Sequence, residues 1–184
     1  MIGYVGRLDP VKGLETLIQG FSQFFARHGQ AHLVIAGKSL ISHGDYGDRL
    51  RRLVNQLGLD ASVTFLGHSD QPSLIYQASD ITVVPSLWPE PFGRTLIEAM
   101  ACGTPVVASA VGGMPEILTG PFEANLFPPG DAAALTDRLL RLVTILGQNP
   151  DCGSHCRRHV VDNFSIQRNV DGIEACFKQA LASE

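Results

Sequence analysis

The sequence predicts an α/β domain of three layers: a doubly wound parallel sheet covered by helices on both faces. Three observations predict it. Strand-like and helix-like segments alternate about six times along the chain, the pattern of a parallel sheet with crossover helices. The strand-like segments, such as His32 to Ala36 and Ile81 to Val84, are near-continuous apolar runs, as strands buried on both faces require. Apolar residues make up 45% of 184 residues and charged residues 17%, enough for a sizeable core and too apolar for a disordered chain. No internal repeat or flexible linker interrupts the pattern, so residues 1–184 read as one domain.

The first strand runs from Met1 to Gly6 and leads into Arg7-Leu8-Asp9-Pro10. Asp9 suits a helix N-cap and Pro10 the first helical position. Leu14, Leu17, Ile18, Phe21 and Phe25 then form the inward stripe of an amphipathic helix ending near Gly29. Lys12 falls in the first turn of that helix, where a cation opposes the dipole unless an anion sits nearby. Arg7, at the C-terminal end of the strand, points to the same region. His32 to Ala36 is a second buried strand, closed by Gly37-Lys38. A polar loop from Ile41 to Gly47, containing His43, precedes a helix from about Asp48 to Leu57 with Leu50, Leu53, Val54 and Leu57 inward. Val63 to Leu66 is a third strand ending at Gly67-His68. Gln71 to Ala78 is a small helix, and Ile81 to Val84 a fourth strand leading to Pro85-Ser86.

The stretch from Trp88 to Ser109 organises the rest. Pro89 and Pro91 hold the chain extended before Gly93. A short apolar helix follows from Thr95 to about Ala101, Cys102-Gly103 ends it, and Val106 to Ala108 is a buried strand. The helix N-terminus opens onto a glycine loop, with unpaired N–H groups and the positive end of the dipole, an anion site. Glu90 and Glu98 bracket it, and Arg94 is a cation set against the dipole. The blander reading is a capping box, Thr95-Leu96-Ile97-Glu98, in which Glu98 bonds back to the Thr95 backbone. Beyond it, the Gly112-Gly113 loop turns the chain into a short helix and Asn125 to Phe127 reads as an edge strand. Asp131 caps a long helix through about Leu146, and Pro150 to Val161 is helical. Ser165 caps a last helix with Val170, Ile173, Phe177 and Leu181 inward.

Several function classes are excluded or weakened at once. A net charge of −4, with no basic run interleaved with aromatics, gives no general attraction to nucleic acid. No segment is long and apolar enough to span a bilayer and no signal peptide opens the chain, so a cytoplasmic location is expected. The four cysteines have no framework spacing. Cys152, His155, Cys156 and His159 would share a helix face, but one face cannot surround an ion and helix surface is the preferred reading.

In a parallel sheet, ligands bind outside the carboxyl ends of the strands. Arg7, Lys12, Gly37, His68, Ser86, Glu90 and the Gly112-Gly113 loop all follow strand ends and are expected to converge on one crevice. Cations and backbone donors suit a diphosphate; carboxylates suit vicinal hydroxyls, since each accepts from two O–H groups. Together they describe a nucleotide sugar. No Walker loop, G-x-G-x-x-G or Asp-x-Asp pair occurs. Two basic side chains would replace a metal in stabilising the departing diphosphate.

Residues G-R-L-D-P-V-K-G near the start, E-P-F-G-R-T-L-I-E-A-M-A-C-G-T-P-V-V-A-S, then V-G-G-M-P-E and P-P-G-D resemble the retaining glycosyltransferases of the glycosyl transferases group 1 (family 4) type. The resemblance spans nearly the whole chain and implies a Rossmann-like domain, the C-terminal, donor-binding half of a GT-B fold. It implies that Arg7 and Lys12 hold the diphosphate and that Glu90 contacts donor-sugar hydroxyls. The amides of Phe92 and Gly93 would meet the sugar, those of Thr95 and Leu96 the phosphates. Gly6 and Arg94 belong to the same donor set. Glu98 would bind the ribose, replacing the capping box, and Gly37, Gly67 and His68 would meet the base. The implied reaction transfers a sugar from a nucleotide diphosphate to a hydroxyl acceptor, with retention and with no metal or other cofactor. The family's N-terminal acceptor domain, which supplies a histidine near the reacting carbon and any peripheral membrane contact, is absent. The chain opens inside the donor domain's first strand, so it is expected to be a fragment that binds donor weakly and transfers nothing alone. P-F-E-A-N-L-F-P-P-G-D departs locally from the family's glycine-rich turn. The rival readings are a non-catalytic nucleotide-sugar binding module and a GT-B nucleotide-sugar epimerase.

Overall fold

The computed structural model describes residues 1–39 and 45–182. Most of the polar loop expected between Ile41 and Gly47, His43 included, lies outside the described residues. Six strands form one parallel sheet: β1 (Ile2–Val5), β2 (Leu33–Ala36), β3 (Val63–Gly67), β4 (Ile81–Val84), β5 (Val106–Ser109) and β6 (Leu126–Phe127). Their order is β3-β2-β1-β4-β5-β6. The order reverses between β1 and β4, and that switch point is where open parallel sheets leave a crevice at their carboxyl ends. The register sets Ile2 beside Leu33 on one side and beside Ile81 on the other.

Helices cover both faces. α1 (Leu14–His28), α2 (Tyr46–Gln56) and α6 (Ala132–Gln148) lie on one; α3 (Pro72–Ala78), α4 (Arg94–Ala101), α5 (Met114–Ile117) and α7 (Cys152–Phe164) on the other. Alternate strand residues serve opposite layers. Val83 and Val107 join Leu17, Phe21 and Leu139 in one core, while Val84, Val106 and Ala108 join Leu96, Met100 and Val160 in the other. Two-sided burial is why these strands lack polar alternation.

Side-chain caps set a few of the boundaries. The Asp131 side chain accepts from the Ala134 amide at 2.9 Å and starts α6. Asp9 accepts from Val11 N at 3.1 Å, but what it caps is a separate 3₁₀ turn, Pro10–Lys12. Gly13, at φ +69°, then breaks the path and starts α1 afresh. A Cβ at Gly13 would lie 2.0 Å from the Pro85 carbonyl oxygen, so the chain must pass this close to β4 without a side chain. The placement of Lys12 in the first turn of the long helix is therefore corrected: Lys12 ends the 3₁₀ turn, just ahead of the N-terminus of α1. Asn125 ends a 3₁₀ turn and does not join β6. Leu57, expected inward, is 38% exposed at the end of α2.

The largest departure is the last helix, α8 (Ile166–Leu181), capped by Ser165 as expected. Val170, Ile173, Phe177 and Leu181 do not point into a core. They are exposed, Phe177 at 68% and Leu181 at 75%. The amphipathic spacing is real, but nothing within the described residues packs on it.

One buried polar atom lacks a partner among the described residues, Thr82 Oγ1 in β4. A desolvated, unpaired hydroxyl destabilises, and valine has nearly its shape. Thr82→Val is expected to raise unfolding free energy by about 1 kcal/mol, seen as a higher urea midpoint at unchanged slope.

Candidate active site

The site is built where β1 and β4 end. After β1, the Tyr4 hydroxyl donates to the Arg7 carbonyl at 2.8 Å and holds the turn that carries Arg7 outward. Burial, with Glu90 next in effect, pushes the Tyr4 phenol well up, so it remains a donor. Gly6 donates to the Ala36 carbonyl at 3.0 Å, and a Cβ on Gly37 would sit 1.8 Å from the Gly6 oxygen. The ends of β1 and β2 thus pinch together only because residue 37 is glycine. Gly37 N donates to the Gly67 carbonyl at 2.7 Å, tying the end of β3 into the same rim.

After β4, the chain from Pro85 to Pro91 crosses the face of the 3₁₀ turn. Leu87 N donates to the Val11 carbonyl at 2.8 Å, which brings Lys12 alongside. The Lys12 ammonium donates to Glu90 Oε1 at 2.6 Å, both side chains being 21% exposed. The Ser86 hydroxyl donates to that same oxygen. Gly113 N meets the Glu90 carbonyl at 2.9 Å, so the Gly112-Gly113 loop holds the Glu90 backbone as Lys12 and Ser86 hold its carboxylate. The anion needed to neutralise Lys12 is therefore Glu90, 78 residues on.

Gly93, at φ +63° and with no side-chain cap, starts α4 one residue earlier than Thr95. This corrects the capping-box reading. Leu96 N already donates to the Gly93 carbonyl at 3.0 Å, which leaves the Arg94 and Thr95 amides as first-turn donors without a helical acceptor. Glu98 does not reach back to Thr95. Its Oε2 accepts from the Tyr76 hydroxyl at 3.1 Å and its Oε1 from the Arg94 guanidinium at 3.1 Å. Leu96 itself is buried, whereas the Phe92 side chain is 47% exposed and its ring lies edge-on to Phe164 of α7 at 6.3 Å.

Not all of the expected residues share one chamber. A cavity of 450 Å³ is lined by Gly6, Arg7, Gly37, His68, Arg94, Thr95 and Glu98, with Tyr76. Lys12 and Glu90 form the neighbouring cluster and do not line it; Phe92 and Gly93 belong to the loop leading from Glu90 to α4. The His68 imidazole lies 3.1 Å from Asp70, both well exposed. A different cavity, of 500 Å³, is lined by Phe122, Arg141, His155 and His159 and shares no residue with the first. It contains Cys152 and Cys156, whose thiol is pushed up to about 12 by burial, and the His159 ring bonds to the Ile117 carbonyl. Among the described residues no three such groups are placed to hold a metal ion.

Sequence reasoning missed Tyr76 and treated Ser86 only as a strand-end residue. Tyr76 carries no local signal, because its carboxylate partner lies 22 residues away and meets it only through the packing of α3 and α4; Ser86 meets Glu90 within the loop after β4.

Comparison with known proteins shows the family and the fold. A D-inositol 3-phosphate glycosyltransferase of Corynebacterium jeikeium is 34% identical over 183 residues, covering 97% of this chain and 43% of that protein. The crystal structure of Anabaena HepE in complex with UDP superimposes with a TM-score of 0.83 at 28% identity, over all of this chain and 48% of HepE. The C-terminal domain of the group 1 glycosyl transferase LpcC from Francisella tularensis, solved by itself, gives a TM-score of 0.78 at 26% identity, covering 90% of this chain and 86% of that one. The chain thus spans less than half the length of the first two. The family model described as glycosyl transferases group 1 matches residues 1–153, which include β1, the Lys12–Glu90 pair and all of α4. The chain belongs to the glycosyl transferases group 1 family and has its Rossmann-like, GT-B-type fold.

Proposed function

We propose that this chain is the donor-binding half of a retaining glycosyltransferase that moves a sugar from a nucleotide diphosphate to a hydroxyl acceptor. The observation that carries the reading is the placement of Arg7, Lys12, Glu90 and the open first turn of α4 around the β1–β4 switch point. Lys12 and Arg7 meet the diphosphate with the Thr95 amide, and Lys12 leaves Glu90 when the stronger anion arrives. Glu90, still held by Ser86, then accepts from hydroxyls of the donor sugar. Glu98 accepts from the ribose, and the base lies toward Gly37, Gly67 and His68. As the bond from the anomeric carbon to the diphosphate breaks, the two cations take up the charge on the departing group, so no metal is needed. The acceptor and its histidine belong to a partner half. The exposed apolar stripe of α8 offers a surface for that half. No helix among the described residues is long and apolar enough to cross a membrane, and the proposed location is the cytoplasm.

UDP is the nucleotide to try first, because HepE was solved with UDP and with UDP-glucose. The test uses the protein joined to its acceptor half, supplied with a UDP-sugar. The product should keep the donor's anomeric configuration by NMR, and EDTA should leave the rate unchanged, while this chain alone transfers nothing. Inversion, an EDTA-sensitive rate, or turnover by this chain alone would each contradict the corresponding part.

A further inference from the structure

Tyr76 is almost fully buried, 2% exposed, with its ring packed in the core that contains Leu96 and Met100. Both ends of the residue are tied down. Its carbonyl accepts the Thr104 hydroxyl at 2.6 Å, just beyond the end of α4, and its phenol reaches Glu98 in the middle of α4. One residue of α3 therefore locks the helix that carries the site.

The partners of Glu98 are divided between its oxygens. Tyr76 occupies one lone pair of Oε2 and Arg94 one of Oε1. An ionised carboxylate has about four acceptor positions, which leaves one on each oxygen. Two such acceptors side by side match two vicinal hydroxyls, and Glu98 and Tyr76 both line the 450 Å³ cavity. The two donors are unequal. Arg94 is a surface side chain, 83% exposed and paired i to i+4, free to exchange with water. The Tyr76 hydroxyl is fixed by its buried ring, and burial foremost, with Glu98 second, keeps its proton on at any ordinary pH.

We propose that Tyr76 is a positioning residue: its phenol orients the Glu98 carboxylate so that both oxygens are presented to the ribose diol of a nucleotide. This rests on the nucleotide-diphosphate reading above and adds to it the group that sets ribose against deoxyribose selectivity. A merely structural tyrosine would affect every nucleotide alike, so the readout is a ratio.

The test is calorimetric titration of the full chain, its Tyr76→Phe and Glu98→Gln variants, and the double variant, each with UDP and with 2′-deoxy-UDP. The wild type is expected to prefer UDP by about tenfold or more, the scale of one hydrogen bond to a charged group. Tyr76→Phe keeps the ring and the core, should lose most of that preference, and should leave 2′-deoxy-UDP binding nearly unchanged. Glu98→Gln should lose it too, and adding Tyr76→Phe to Glu98→Gln should change little more. Equal weakening of both nucleotides by Tyr76→Phe, or an intact preference, would overturn the proposal and leave the donor site standing. A wild type that binds neither nucleotide would overturn the donor-site reading and this proposal with it.

Discussion

Lys12→Ala, assayed in this chain joined to the proposed acceptor half, is expected to lower kcat/KM by about a thousandfold, roughly 4 kcal/mol of transition-state stabilisation. The departing diphosphate loses a cation placed in a partly dry site, where charge stabilisation is largest. The 2.6 Å contact from Lys12 to Glu90 is given up on donor binding in any case, so it adds nothing to the loss. Lys12→Arg should restore part of the activity, because the charge returns without the single-point geometry of an ammonium. Steady-state kinetics with the donor varied checks both. A loss of less than tenfold would remove Lys12 from the reacting centre.

Gly13→Ala carries the largest expected effect on folding. The residue is left-handed at φ +69°, and a Cβ would meet the Pro85 carbonyl oxygen at 2.0 Å. The left-handed penalty and the forced backbone shift together should destabilise by about 3 kcal/mol. Thermal unfolding followed by circular dichroism should show a midpoint lower by roughly 10 °C for a domain of this size. The same shift would separate the Lys12 turn from the β4 loop, so donor binding should weaken even in the fraction that folds. A melting point within 2–3 °C, roughly the effect of 1 kcal/mol, would show that the chain passes β4 with room to spare.

Much of this architecture was legible because it is local. β4 needed only a continuous apolar run, and α6 only Asp131 before a periodic stripe. The meeting of Arg7, Gly37, His68 and the start of α4 in one cavity followed from a general property of parallel sheets rather than from any contact. What stayed hidden was set by tertiary packing. The break at Gly13 is imposed by Pro85, 72 positions later, and Pro10 with a good inward stripe hides it. Thr95 fits the capping-box pattern, yet Gly93 takes the cap because its left-handed conformation lets α4 begin earlier. Glu98 was legible as a candidate and lines the cavity, but its partner was not legible, since Tyr76 meets it only across two helices. In α8 the pattern showed which side is apolar. It holds no information on what, if anything, covers that side.

The most direct measurement is calorimetric titration of this chain with UDP, beside an Arg7→Ala, Lys12→Ala double variant. The account predicts saturable binding in the micromolar to millimolar range, about −8 to −4 kcal/mol. It also predicts that the double variant loses that binding at an unchanged melting temperature. Binding that survives removal of both cations would contradict the diphosphate site at the β1–β4 switch point.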